Sequence, residues 1–238
     1  MRIAVIQFPG SNCDQDCLYV GEHILKTPTY LVWHKETSLQ DADLVILPGG
    51  FSYGDYLRCG AIARSAPIMK AIEEHIQKER FVLGICNGFQ ILCEARILPG
   101  ALVRNASRHF RCEEVYLRVE NTQNPFLCLA AKNQILKLPI AHGEGCYIDH
   151  KTNLRQSLRH NQIALRYCDS GGVPTPASNP NGSIENIAGL LNRKGNVLGL
   201  MPHPERACEE ILGNTDGLLI FQSLLHWHKK KRSMAASS

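Results

Sequence analysis

No apolar run in this 238-residue chain approaches the ~20 residues that a bilayer span needs, so no membrane-spanning helix is expected. No Cys-x-x-Cys occurs, and no cysteine–histidine set has zinc spacing, so no metal site is expected. Neither Gly-x-x-x-x-Gly-Lys-Ser/Thr nor Gly-x-Gly-x-x-Gly is found, so neither glycine-rich phosphate cradle is visible. A basic stripe interleaved with aromatics is also missing, which leaves a nucleic-acid partner without support. Much of the formal net charge of +4 sits in Lys229, Lys230, Lys231 and Arg232, so residues 229–238 read as a solvated, mobile tail. Met1-Arg2 runs straight into an apolar strand with no signal-peptide pattern. The expected compartment is therefore a reducing cytoplasm, with most of the ten cysteines acting as small core residues.

What is present is the composition of an ordinary globular domain, 44% hydrophobic and 20% charged, long enough for a substantial core. Short Val/Ile/Leu-rich runs recur at 3–8, 30–33, 44–47 and 81–85, too continuous for half-exposed strands. They predict buried parallel strands. A helix is expected over roughly 56–78, with Ile62, Ile68, Met69, Ile72 and Ile76 on its apolar face. Alternation at 115–119 and 134–138 predicts antiparallel additions, and 169–185 is turn and loop chemistry. Two strands near 187–191 and 197–201 and an amphipathic helix near 216–228 complete the pattern. The fold class is α/β: one domain over 1–228, with an open, mostly parallel sheet, helices on both faces and antiparallel additions.

The most informative segment is Gly84-Ile85-Cys86-Asn87-Gly88, a strand that turns at once into a helix. Gly-x-Cys-x-Gly is the cysteine form of the nucleophile elbow. The sharp turn crowds neighbours two positions away, which gives both glycines a steric purpose. It also lifts Cys86 to the carboxyl edge of the sheet and to a helix N-terminus, where the dipole favours thiolate. A buried structural cysteine is the plain alternative.

A thiolate nucleophile needs a proton carrier, and His203 in Met201-Pro202-His203-Pro204-Glu205-Arg206 is the best placed of ten histidines. Pro204 biases His203 toward extended backbone, from which Glu205, two residues on, can reach the imidazole. A carboxylate on one ring nitrogen fixes the tautomer and frees the other for chemistry. Alone, His-x-Glu would be read as a surface turn as readily as a dyad. Pro48-Gly49-Gly50, after the strand at 44–47, could aim backbone N–H groups at an oxyanion, with Asn87 supplying a second donor.

Together these blocks resemble the class I (triad) glutamine amidotransferases, whose sheet is flavodoxin-like. Within that class they are similar to the glutaminase subunits of phosphoribosylformylglycinamidine synthase in purine biosynthesis. Five stretches carry the resemblance: Pro9-Gly10-Ser11-Asn12-Cys13-Asp14, residues 48–63 with Phe51-Ser52-Tyr53-Gly54-Asp55-Tyr56, residues 84–92, Ala141-His142-Gly143-Glu144-Gly145, and residues 195–206. Residues 151–185 carry no matching motif.

The resemblance implies that Cys86 attacks the side-chain amide of glutamine, while His203, oriented by Glu205, moves the protons. Gly50 and Asn87 would stabilise the oxyanion, and Gln90 would help hold substrate. Tyr53, Asp55, Arg58, His142 and Glu144 would line the glutamine pocket or face a partner; His142 and Glu144 could equally just satisfy their loop. No cofactor is implied in this chain. ATP and Mg²⁺ would bind a large synthetase subunit, accompanied by a small third subunit. The alternatives are a class I glutaminase serving another synthetase, a stand-alone cysteine amidohydrolase, and a non-enzymatic subunit.

Overall fold

The computed structural model describes residues 1–236. Its first half runs β1 (Ile3–Gln7), α1 (Asp14–Tyr19), β2 (Thr29–Trp33), β3 (Leu44–Leu47), α2 (Ile68–Gln77), β4 (Phe81–Ile85) and α3 (Asn87–Glu94). The second half adds β5 (Ala101–Val103), β6 (Arg111–Val119), β7 (Ile135–His142), β8 (Cys146–Ile148), α4 (Lys151–Arg159) and β9 (Ile163–Cys168). The chain closes with β10 (Ile187–Leu191), β11 (Val197–Leu200) and α5 (Leu218–Ala236).

Nine strands form one sheet in the order β2-β1-β3-β4-β11-β10-β9-β6-β7, and β5 pairs with β8 in a separate ribbon. The pairings from β2 to β11 are parallel and those from β11 to β7 antiparallel, so only β10 and β6 run against the rest. β1, β3 and β4 are buried almost end to end, which is why their sequences are unbroken apolar runs rather than alternating ones. From β1 the chain steps to β2 on one side, and from β3 it steps through α2 to β4 on the other. Right-handed crossovers in opposite directions put α1 and α2 on opposite faces. The reversal leaves a crevice at the carboxyl ends of β1 and β3, where such sheets bind ligands.

Several expectations are corrected. The helix expected over 56–78 is confined to Ile68–Gln77, because Leu57 and Gly60 have positive φ and Pro67 opens the helix. The segment without motifs contains α4 and β9, and β9 joins the sheet between β10 and β6. Lys229 to Arg232 do not leave the domain as a tail: they continue α5, exposed, in keeping with the good helix propensity of Lys and Arg. Residues 237–238, which belong to that expected tail, lie outside the described residues. Among the described residues no helix is long and apolar enough to cross a membrane.

Candidate active site

Strand register brings the reactive groups together. Ile85 at the end of β4 is level with Leu200 at the end of β11, so the residues following each emerge side by side. The Cys86 N–H donates to the Leu200 carbonyl at 2.8 Å, tying the turn to β11. Cys86 itself sits at φ 50, ψ −102, a conformation that costs a non-glycine residue about 1–3 kcal/mol. Tight packing on both sides holds it there. A Cβ on Gly88 would lie 2.0 Å from the Leu47 carbonyl oxygen, and one on Gly84 would lie 2.4 Å from Leu92 Cδ1. Both elbow glycines are therefore required by close approach.

His203 is 2% exposed and Glu205 3%; the imidazole Nδ1 donates to Glu205 Oε1 at 2.7 Å. The local geometry differs from the expected extended chain. Pro204, Glu205 and Arg206 form a 3₁₀ turn, and it is this turn that swings the carboxylate back onto the ring. Nε2 is buried and has no hydrogen-bond partner among the described residues, leaving one face of the base free for chemistry. Burial opposes the imidazolium. Burial is the largest single influence, but the Glu205 carboxylate together with Cys86 and Cys13 outweighs it, so the His203 pKa is held well above its usual value.

Gly50 lines the same cavity as Cys86. Its φ of +149 and the 2.7 Å approach of the Gly10 carbonyl to its Cβ direction admit only glycine. Asn87 opens α3, so its N–H is one of the first-turn donors with no intrahelical acceptor. Its side chain accepts from the Ser52 N–H at 3.2 Å and donates to Gln90 Oε1 at 2.8 Å, and Gln90 Nε2 donates to the Glu144 carbonyl at 2.7 Å. Gln90 thus ties the elbow helix to residues 142–145 as well as lining the cavity.

The cavity is about 380 Å³ in volume, and Asp55, His142 and Glu144 line it too. His142 is a brace. Its Nδ1 donates to Asn105 Oδ1 at 3.1 Å, and Asn105 in turn accepts from the Gly145 N–H at 2.9 Å. Burial pulls the His142 pKa down to about 4, so the ring is neutral near pH 7. Tyr53 and Arg58 are not in the cavity wall. Tyr53 hydroxyl pairs with His34 Nδ1 at 2.6 Å, and Arg58 grips Glu94 through two hydrogen bonds of 2.8 and 2.7 Å. They clamp the loop that carries Asp55.

Sequence reasoning missed Cys13, Cys59, Arg104, Arg108 and Phe110. The last four line the cavity. Cys13, Asp14's neighbour at the start of α1, brings its sulfur near His203 and accepts from Arg206 Nη2 at 3.0 Å. Burial pushes the Cys13 thiol pKa up, against the pull of His203. Cys13, His203 and Glu205 present donor atoms within 4.8 Å of one another. These residues come from separate connections, so no local spacing announces them; only the quoted stretches that contain Cys13 and Cys59 gave a signal.

Comparison with known proteins agrees with this geometry. A sequence model described as the CobB/CobQ-like glutamine amidotransferase domain matches residues 1–227. Phosphoribosylformylglycinamidine synthase subunit PurQ of Acaryochloris marina is 56% identical over 95% of this chain and 96% of its own. That of Moorella thermoacetica is 51% identical over 99% and 100%. Among solved structures, a chain of PurLQS from Thermotoga maritima superposes with a TM-score of 0.84 at 43% identity, covering 95% of this chain and 98% of that one. With the elbow, the buried His–Glu pair and near-complete coverage in agreement, the chain belongs to the CobB/CobQ-like glutamine amidotransferase family, among relatives named as the PurQ subunit.

Proposed function

We propose that this chain is the glutaminase subunit of phosphoribosylformylglycinamidine synthase, supplying ammonia to a large synthetase subunit in purine biosynthesis. The observation that carries it is the strained Cys86 elbow set beside a buried His203–Glu205 pair. Cys86 sulfur attacks the side-chain amide carbon of glutamine, and the Gly50 and Asn87 N–H groups receive the developing oxyanion. As the C–N bond breaks, the His203 imidazolium gives its proton to the departing nitrogen, leaving a γ-glutamyl thioester and ammonia. His203 then takes a proton from water, which attacks the thioester; the C–S bond breaks, glutamate leaves, and the Cys86 thiolate and His203 imidazolium are restored. Glu205 holds the ring in one tautomer throughout. Gln90 keeps the cavity wall in place.

In this reading the partners are the large subunit and a small third subunit, in keeping with the PurLQS relative. ATP and Mg²⁺ bind the large subunit. Exposed Phe51 and Phe110 line the cavity, and exposed Tyr56 and Leu57 follow Phe51 in the same loop; together they offer apolar surface suited to that partner. All ten cysteines are unpaired, which fits a cytoplasmic location.

The test is product formation by the partner subunits from formylglycinamide ribonucleotide, ATP and either glutamine or ammonium. Adding this chain should be required for glutamine and dispensable for ammonium, and Cys86→Ala should abolish only the glutamine reaction. Equal glutamine-dependent turnover with and without the chain would exclude the assignment.

A further inference from the structure

Residues 9–14, a stretch that the chemistry above leaves without a task, run alongside the loop that carries Gly50. The Tyr53 N–H donates to the Pro9 carbonyl at 2.6 Å, and the Phe51 N–H to the Gly10 carbonyl at 2.8 Å. The N–H groups of Asn12 and Cys13 both reach the Gly49 carbonyl, at 3.3 and 3.2 Å, and Ser11 bridges Gly50. The pairing ends at Cys13, which is 2% exposed. Its sulfur lies within 4.8 Å of donor atoms on both His203 and Glu205. A Cβ on Gly49 would lie 2.7 Å from His203 Cε1 and 2.9 Å from Cys13 Sγ. Ring edge, sulfur and loop backbone therefore close on one point, with no room for a side chain.

The Cys13 thiol is fully used. Its S–H donates to Asn12 Oδ1 at 3.2 Å, and its sulfur accepts from Arg206 Nη2 at 3.0 Å. Arg206 Nε is held in turn by Asp16 Oδ2 of α1 at 3.2 Å. Arg206 belongs to the same 3₁₀ turn that swings Glu205 onto the imidazole, so the sulfur latches that turn. A latch is needed here. The Glu205 hydrogen bond fixes Nδ1 but leaves the ring free to pivot about it, and Nε2 has no partner among the described residues. A misplacement of about 1 Å at a proton-transferring group costs about 100-fold in rate. A cysteine that only filled space would be better matched to apolar neighbours than to a guanidinium.

We propose that Cys13, latched to Arg206, is a positioning residue that holds the His203 imidazole at its working angle to Cys86. Cys13 is not in the cavity wall and acts through His203 alone. This rests on the glutaminase reading, in which the His203 imidazolium protonates the departing nitrogen. The titratable groups near the ring are Glu205 from its own turn, Cys86 from the elbow, Cys13 from the 9–14 stretch and His142 from β7. Arg206 and Cys17 lie near Cys13. The Cys13 sulfur favours the imidazolium, so its loss should move the alkaline limb of the rate to lower pH.

The experiment measures glutamate release across pH by the assembled complex carrying Cys13→Ser or Cys13→Val. Serine keeps a donor and the acceptor lone pairs, whereas valine keeps the volume and loses both. Cys13→Val should lower kcat about 10- to 100-fold, with KM within about threefold of wild type. Its alkaline limb should fall by about half a pH unit or more, the equivalent of one weak hydrogen bond. Cys13→Ser should stay within about threefold of the wild-type kcat, with its limb in place. Thermal unfolding reports whether each variant folds, and Cys13→Ala, which cannot clash, replaces Cys13→Val if that variant unfolds. Wild-type turnover in Cys13→Val, or a fall with the limb unmoved, overturns the inference and leaves Cys13 a packing residue. So does a rise in KM in place of the fall in kcat, or Cys13→Ser no better than Cys13→Val. If the wild-type complex releases no glutamate, or releases it equally after Cys86→Ala, the glutaminase reading itself falls, and this inference with it.

Discussion

His203 is buried beside the Glu205 carboxylate and the sulfurs of Cys86 and Cys13, and the balance of these with burial settles its proton. Because its native pKa lies above the ordinary histidine value, the His203–Glu205 pair stabilises the fold fully below about pH 6.5. That contribution is lost as pH rises through the raised native pKa. Glu205→Gln should therefore cost about 1–3 kcal/mol near pH 6 and much less in alkali. Thermal unfolding of both proteins across pH checks this, and a gap that widens with pH would contradict it. The residues expected to react were picked out in the sequence because each sits in a covalently constrained block. Gly84 and Gly88 betray the turn around Cys86, and the two prolines betray that around His203. Arg104 and Arg108 were not legible, and Cys13 and Cys59 stood only inside quoted stretches without a role, because through-space convergence places them at the site and local sequence does not.

At the level of elements, residues 51–58 behave as one unit, with an apolar outer surface and an acidic inner one. Leu57 is 88% exposed, so Leu57→Asp should leave stability within about 0.5 kcal/mol. It should weaken association with the synthetase by about tenfold or more. Size-exclusion co-elution and unfolding curves separate the two effects; unaltered association would remove this surface from the interface. Buried parallel strands were readable as elements because burial on both faces leaves unbroken apolar runs. The 56–78 segment misled because Ile62 keeps helical spacing with the true helix while glycine and positive φ interrupt the backbone. β9 was missed because Ile163-Ala164-Leu165-Arg166-Tyr167-Cys168 follows a polar helix and has no turn motif of its own.

For the molecule as a whole, two buried neutral histidines set the acid limit. Burial lowers the pKa of His75, as it does that of His142, to about 4. Between pH 6.5 and 4 the unfolded chain takes up protons that the native state refuses, so stability falls with pH. The loss is about 2 kcal/mol per histidine between pH 7 and 5. His75 Nε2 donates to the Phe81 carbonyl at 3.1 Å, a contact that glutamine can imitate. Denaturant titrations should show a shallower acid slope for His75→Gln; an unchanged slope would dismiss its role. The sheet itself bears on how the enzyme comes into being. β7 ends the sheet, four strands away from β11, yet its Pro139 carbonyl accepts from the His203 N–H at 2.8 Å and its Ala141 carbonyl lies 3.7 Å from Cys86 sulfur. The last strand of the antiparallel extension thus curls back to the centre. A ribosome has made Cys86 roughly ten seconds before it makes His203 and Glu205. The nascent chain therefore carries the Cys86 thiol without the His203–Glu205 pair, and under the proposed mechanism it cannot squander glutamine until both residues have been made.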